Sequence, residues 1–283
     1  HKPVLIDLLG SNLHVVNAEF RLGLRRAQTI FSHPILYGVF VSTGFGIFLY
    51  LWTSRLTRLF TFLLIVIGTF VSLSTGPLLA LIVQIFLVGW NSVLRNIAAR
   101  WKILGLLVFA SYVFVDVVSV RSPFHVLVNY ASFSISSGYN RILIWEFGTQ
   151  NVANNPFFGL GLNDWVRPEW MSSSVDNYWL LLTMTYGLPF ACFMGSYLVW
   201  CFYRIFFFGH LPEKFKLIYF GYGASLSGLT LAGFTVHYWH SSMAFAMFFY
   251  GLIFCFTASG SKDSFDETSP KPSVLSSIGY SRF

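Results

Sequence analysis

Apolar residues run along this chain in long, nearly unbroken blocks separated by short polar breaks. Blocks of a length that suits an α-helical membrane crossing, about 20 residues, fall at about 34–53, 58–74, 76–94, 102–120, 177–203, 216–236 and 239–258. The pattern predicts an all-α fold, a polytopic transmembrane helix bundle with about seven spans. Blocks two and three are divided only by Ser74-Thr75-Gly76-Pro77, a turn signal. One kinked helix is the rival reading there, but the joined run of about 36 residues is too long for a single crossing.

The longest polar interval, from about Arg121 to Val175, exceeds ordinary connections; loops beyond about 12–15 residues are uncommon unless functional or disordered. Within it, "NRILIWEFGTQNVANNPFFGLGLNDW" (Asn140 to Trp165) is expected to begin as a short amphipathic helix lying along the membrane face, with Arg141 and Trp145 one turn apart. It then breaks at Asn155-Pro156 into a Gly-rich turn leading back to span five. The glycines of "GLGL" read as turn formers, since no strand precedes them. The expected organisation is a leading segment (1–33), helices one to four (34–120), the long loop (121–175), helices five to seven (176–258), and a Ser-, Asp-, Lys- and Pro-rich tail (259–283) of disordered composition. No repeat of 20–50 residues and no EF-hand or zinc-helix motif is evident.

Composition strengthens the membrane reading. Of the 283 residues 55% are hydrophobic and 10% charged, against about a quarter charged in soluble domains. The net charge of +7 sits in breaks between apolar blocks, so it signals topology rather than nucleic-acid binding. Arg55 and Arg58, then Arg95, Arg100 and Lys102, then Arg204, Lys214 and Lys216 follow spans one, three and five. With seven spans, all three groups share one side, the cytoplasm. The leading segment, the Ser74–Pro77 turn, the long loop and "HYWHSS" (His237 to Ser242) then share the outer face. Arg21, Arg25 and Arg26 fall on that face too, against the charge rule: either the topology is misplaced or these arginines are kept outside for function. Cys192, Cys201 and Cys255 lie inside apolar blocks without metal-ligand spacing and read as buried and inert. An opening on His1, without Met or a signal peptide, fits part of a longer chain.

The polar chemistry gathers on the outer face in four pieces: the arginines leading into span one, Arg141 with Glu146, Asp176 and Asn177 at the mouth of span five, and His237 and His240 between the last two spans. A guanidinium fork holds two phosphate oxygens at once, and a carboxylate or imidazole can accept a hydroxyl proton. Each residue also has a structural reading. Arg141 would anchor in the aromatic belt or pair with Glu146, and Arg26 would meet lipid head groups. Asp176 would N-cap span five, and the two histidines would be interfacial neighbours of Tyr238 and Trp239. His33 shapes the entry to span one with Pro34. Asp116, a carboxylate inside a predicted span, is a functional hypothesis by position.

"RRAQTIFSHPILYG", "SLSTGP", the Asn140–Trp165 stretch and "DNYWLLLTMTYGLPF" together, over about residues 20–258, resemble the bacterial O-antigen ligase and O-antigen or exopolysaccharide polymerase family. That resemblance implies a multi-pass inner-membrane enzyme with a periplasmic active face. It would move a glycan from an undecaprenyl-diphosphate carrier to an acceptor sugar hydroxyl, without metal or cofactor. Its partners would be the lipid-linked donor, a glycan or lipid-linked acceptor, membrane lipids and a chain-length regulator, with no nucleic acid. By position, Arg26 and Arg141 match the family's diphosphate-holding arginines, and Asp176 stands for base or acceptor positioning. Arg25, Arg21, Asn177, His237, His240 and Glu146 would line the substrate site. Two departures stand out. The ligases' Ser-Arg-Gly turn is Ser74-Thr75-Gly76 here, and their His before Asn is Asp176, which favours a polymerase over a ligase. A transporter or flippase without bond-making chemistry is the alternative, with a non-catalytic scaffold third.

Overall fold

The computed structural model of the protein describes residues 20–21, 23–52, 54–119, 135–207 and 213–255. Most of the leading segment, the first part of the long loop and the 259–283 tail lie outside the described residues. Those described form eight α-helices and a two-stranded hairpin. The hairpin pairs β1 (Phe20–Arg21) antiparallel to β2 (Leu24–Arg25), with Gly23 in the left-handed region at the turn. The helices are α1 (Pro34–Leu51), α2 (Arg55–Phe70), α3 (Thr75–Val93), α4 (Arg100–Val118), α5 (Ile135–Asn154), α6 (Tyr178–Phe206), α7 (Glu213–Ala232) and α8 (His240–Gly251).

Four of them, α1, α3, α4 and α6, are long and apolar enough to cross a membrane. The other predicted spans are helical but fall short: α2 has 16 residues, α8 has 12, and α7 opens on Glu213, Lys214 and Lys216. Arg55 and Arg58, and Arg100 and Lys102, expected in loops, begin α2 and α4 instead. Two helices, α2 and α3, are separated as expected, but the break falls at residues 71–74, and Thr75, Gly76 and Pro77 form the first turn of α3. A further departure concerns α5, expected as a short helix, which runs for 20 residues up to the Asn155-Pro156 break.

Local chemistry sets the helix ends. His33 N-caps α1, its Nδ1 accepting from the Ile35 N–H at 3.1 Å, while Pro34 takes the first helical position, where its missing N–H costs nothing. Helix α7 packs against α1 and α3, close enough that a Cβ on Gly46 or Gly221 would strike the other's carbonyl. Gln84 of α3 is fully buried among them. Its Nε2 donates to the Ser42 and Ala80 carbonyls (2.8 and 3.2 Å), and its Oε1 accepts from Gly46 N–H and Ser225 Oγ–H (both 3.2 Å). Buried Tyr222 and Tyr238 and half-buried Tyr197 spend their hydroxyls on carbonyls, those of Phe249, Leu229 and Tyr250 respectively.

A second cluster joins α5, the start of α6 and the connecting loop through Ile144, Val152, Trp165, Met171, Val175, Leu180 and Met184. Helix α4 buries no side chain, so Asp116 is exposed on it. Of the cysteines only Cys201 is buried. Cys192 and Cys255 are exposed on their helices, because an apolar helix face in a membrane protein meets lipid as readily as core.

Unlike the uninterrupted span expected, α6 is broken at Gly187 (φ 82°, ψ 176°), just before Pro189. Pro189 has no N–H for the Thr185 carbonyl, and Leu188 N–H turns away to the Pro156 carbonyl (2.7 Å). The Gly-rich turn replaces both donors: Leu160 N–H reaches Met184 O at 2.7 Å and Gly161 N–H reaches Thr185 O at 3.0 Å. Gly159 and Gly161 are the turn formers, both left-handed (φ 67° and 62°). At Gly159 a Cβ would sit 2.5 Å from the Met184 and Thr185 carbonyls, whereas at Gly161 it would meet open space.

Gly159→Ala and Gly161→Ala are therefore expected to separate. The second carries only the left-handed cost, about 1–2 kcal/mol, and the first adds a backbone collision. Thermal unfolding in detergent should show Gly159→Ala losing clearly more than Gly161→Ala; equal losses would remove the close docking of the turn on α6.

Candidate functional site

The connection between α2 and α3 is a tight, buried turn. Leu73 sits in the left-handed region (φ 47°) without being glycine, a conformation that needs support from its surroundings. Support comes from the hairpin segment. Three successive carbonyls at the end of α2 are taken by three donors from it: Ala27 N–H on Val71 (2.9 Å), Arg26 Nε–H on Ser72 (2.9 Å) and an Arg21 guanidinium N–H on Leu73 (3.1 Å). Orphan carbonyls at a helix C-terminus attract cations and hydrogen-bond donors. The arginines on the outer segment are thus pinned to one end of the bundle.

Arg141 arrives at the same turn from α5. An Nη1–H of its guanidinium reaches Thr75 Oγ1 at 3.4 Å. Thr75 begins α3, whose first turn has no side-chain cap from Ser74, so the positive end of the α3 dipole adds to the arginine field. Arg26 and Arg141 are both buried, at 6% and 8% exposure, and Arg21 is half-buried. Burial holds the Arg141 guanidinium below the usual arginine range. The nearby Asp176 carboxylate offsets part of that, and Arg21 adds to it. Two cations and a carboxylate therefore feel one another at the turn.

The expectation that Asp176 caps α6 is corrected by the structure. The N-cap is Asn177, whose Oδ1 accepts from Leu180 N–H at 3.0 Å. Asp176 lies one residue outside the helix, half-buried, with Ser174 Oγ–H donating to its Oδ1 at 3.4 Å. Asn177 is buried, and its Nδ2 has no hydrogen-bond acceptor among the described residues. A buried amide donor in that condition is a point where a ligand oxygen or water would be held. Tyr178 N–H reaches the Gly233 and Val236 carbonyls (2.7 and 3.2 Å), tying the start of α6 to the segment that carries His237. That segment also touches the α3 turn, since a Cβ on Gly76 would meet Thr235 Oγ1 at 2.6 Å.

The structure therefore brings Arg21, Arg26, Arg141, Asp176 and Asn177 to one end of the bundle, with His237 beside Tyr178 (ring centroids 6.4 Å apart). Arg25 is exposed on β2. Glu146 is not part of this gathering. It lies five residues beyond Arg141, about 140° further round α5 at 3.6 residues per turn, and is exposed. His240 opens α8, and its side chain lies outside what the structure describes. Sequence reasoning named Arg21 as a residue of the site but missed the left-handed Leu73 and the hydrogen bond by which Arg21 holds its carbonyl. Among the described residues no three or more His, Cys, Asp or Glu side chains gather as metal ligands would.

Such a site offers buried cations, an uncapped helix start and a half-buried carboxylate, bonded by Ser174, whose charge is felt at Arg141. Chemically it suits a dianionic group held beside a proton acceptor. Comparison with family models, with curated proteins and with solved structures finds no match to this chain.

A buried guanidinium kept for chemistry differs from one kept for packing in what its removal does. Replacing both members of a buried charge pair by uncharged side chains of similar volume is often neutral or stabilising by about 1–4 kcal/mol, whereas removing one member alone costs about 3–5 kcal/mol. Arg141→Met combined with Asp176→Asn is accordingly expected to leave Tm unchanged or raise it, and Arg141→Met alone, which leaves the Asp176 charge uncompensated, to lower it. A fall of many degrees in detergent for the double variant would make Arg141 a structural residue of the α3–α5 contact.

Proposed function

We propose that the chain is an integral-membrane glycosyltransferase of the polymerase type, working at the periplasmic face of a bacterial inner membrane. It takes a glycan from an undecaprenyl-diphosphate carrier and joins it to the hydroxyl of a glycan or lipid-linked acceptor. In this reading all seven apolar helices outside the long loop belong to the membrane bundle, α5 and its loop lie on the outer side, and the α2–α3 turn faces the carrier's diphosphate. The observation that supports it most is the convergence of Arg21, Arg26 and Arg141 on the Ser72–Thr75 turn with Asp176 acting on Arg141.

The chemistry follows from that arrangement. The acceptor hydroxyl oxygen attacks the anomeric carbon, and its proton passes to the Asp176 carboxylate. The bond between the anomeric carbon and the phosphate oxygen breaks, and the electron pair leaves with undecaprenyl diphosphate. Negative charge grows on the leaving diphosphate, where cations already held in a site of low dielectric stabilise it without reorganising. Anchoring on backbone carbonyls gives the Arg21 and Arg26 forks a fixed direction, and Thr75 Oγ1 does the same for Arg141. The buried Asn177 amide is placed to donate to an oxygen of the same group. A polymerase is favoured over a ligase because Thr75 and Asp176 stand where a ligase is expected to carry Arg and His.

Arg26→Ala and Arg141→Ala are each expected to lower transfer ~10²–10³-fold, as loss of one oxyanion-stabilising donor does, and Asp176→Asn ~10²–10⁴-fold, as loss of a general base does. The assay is elongation of lipid-linked repeats by the purified protein without an energy source, read as glycan chain length. Normal chain lengths in the two arginine variants, with the protein still in the membrane, would remove the transferase assignment. Movement of lipid-linked glycan across vesicles without elongation would replace it by transport.

A further inference from the structure

The loop that caps the break in α6 also walls a cavity that the diphosphate site does not use. It measures about 420 Å³ and opens between the loop, the start of α6 and the segment before α8. That volume falls within the ~300–1,000 Å³ typical of small-molecule sites. Its walls combine the indoles of Trp165 and Trp239, the imidazole of His237, and the polar groups of Asn163, Asp164 and Ser174.

The walls are fixed in place. His237 stacks on Trp239 with centroids 4.9 Å apart and planes at 22°. Trp165 is buried, its Nε1–H donates to the Ser173 carbonyl at 3.1 Å, and the Arg167 guanidinium lies 5.4 Å from its ring centre. Asn151 of α5 holds the neighbouring backbone on both sides, accepting from Val166 N–H (2.9 Å) and donating to Val166 O (2.8 Å). Arg167 pairs with Asp164 at 2.7 Å, and that hydrogen bond holds the Asp164 carboxyl below the usual carboxylate range, so it is an ionised acceptor at neutral pH.

Rigid aromatic surface, a carboxylate, an amide and a hydroxyl around one cavity suit a ligand with flat C–H faces and an edge of hydroxyl groups. A pyranose has both: its axial C–H groups pack on aromatic rings and its hydroxyls donate to carboxylate and amide oxygens. An anionic ligand is disfavoured, because among the described residues the lining carries no lysine or arginine to hold it. We propose that this cavity binds an uncharged pyranose ring of the acceptor glycan.

The cavity connects to the arginine-lined turn through one hydrogen bond. Ser174 lines the cavity and its Oγ–H donates to Asp176, whose charge acts on Arg141. A sugar seated in the cavity with one hydroxyl towards Ser174 would present that hydroxyl to the carboxylate facing the diphosphate. The acceptor role rests on the transferase reading; sugar binding itself rests on the cavity.

The test measures two ligands separately on the full chain in detergent. Saturation-transfer NMR is run with the methyl glycosides of glucose, galactose, mannose, rhamnose, N-acetylglucosamine and N-acetylgalactosamine, and inorganic pyrophosphate binding is measured by calorimetry. At least one glycoside should take saturation at its ring protons. Trp239→Leu and Asn163→Ala, the second on the exposed rim, should each weaken it about five- to ten-fold, with Trp239→Phe retaining it and pyrophosphate binding unchanged in all three. Arg141→Ala should do the reverse, losing pyrophosphate and keeping the sugar. No glycoside bound, or binding indifferent to both Trp239→Leu and Asn163→Ala, overturns the cavity assignment whatever pyrophosphate does. Sugar bound in the cavity with no pyrophosphate bound upholds the cavity and overturns the transferase reading.

Discussion

A backbone carbonyl left without its helix donor must find another, and the end of the bundle where the arginines gather is organised by that need. Two helix ends raise it. At the end of α2 the Val71, Ser72 and Leu73 carbonyls are satisfied by Ala27, Arg26 and Arg21. At the break in α6 the Met184 and Thr185 carbonyls are satisfied by Leu160 and Gly161. In each case the donors come from a segment outside the bundle, which is thereby fastened to it. The first fastening sets the arginines, and the second sets the loop that walls the cavity. No described residue of the hairpin enters a buried apolar cluster, so hydrogen bonds fix that segment, whereas the loop is also held by the burial of Trp165, Met171 and Val175.

Gln84 does the corresponding work deeper in the bundle. Its amide is satisfied from α1, α3 and α7 together, which holds α3 in a single register against its neighbours. The register matters because α3 begins at the turn where the arginines meet. A half-satisfied buried amide would be worse than an apolar residue, and a fully satisfied one specifies a single packing. Small residues serve the same end, since the close approach of Gly46 and Gly221 lets α1 and α7 meet backbone to backbone.

Much of this was legible in the sequence because its signals are local. The apolar blocks announced the helices, His33-Pro34 announced the start of α1, and "GLGL" announced left-handed turns. Counting spans and charges predicted four polar pieces on one face; of their residues the structure brings Arg21, Arg26, Arg141, Asp176 and Asn177 to one end of the bundle and leaves Glu146 out. What the sequence hid depends on contacts between distant segments. Pro189 alone does not say that α6 will break, because a proline in a membrane helix can be accommodated. It breaks here because the 156–161 turn supplies replacement donors from some 25 residues away. Glu146 looked like a partner for Arg141 because both charges share a short stretch, but five residues of helix carry it round to the exposed side. The short helix became a long one since neither Gly138 nor Gly148 interrupts it. At Gly148 the missing side chain instead leaves room for Leu180, where α5 meets α6.

The Asp176-Asn177 pair shows how neighbouring residues of similar shape divide two tasks. Asx side chains at the start of a long apolar helix compete to cap it, and either residue is able to. Asn177 takes the cap, with its Oδ1 on Leu180 N–H. A carboxylate in that position would have been tied to the α6 dipole and its charge spent on the helix N–H groups. An amide leaves the cap neutral and keeps the charge one residue upstream, where it opposes the buried guanidinium of Arg141 instead. A cation with so little exposure gains from an anion close by. Ser174 Oγ–H bonds that carboxylate just outside the helix, where its charge is felt at Arg141. In this arrangement the order Asp-Asn, and not merely the presence of an acid, is what keeps Asp176 available beside Arg141.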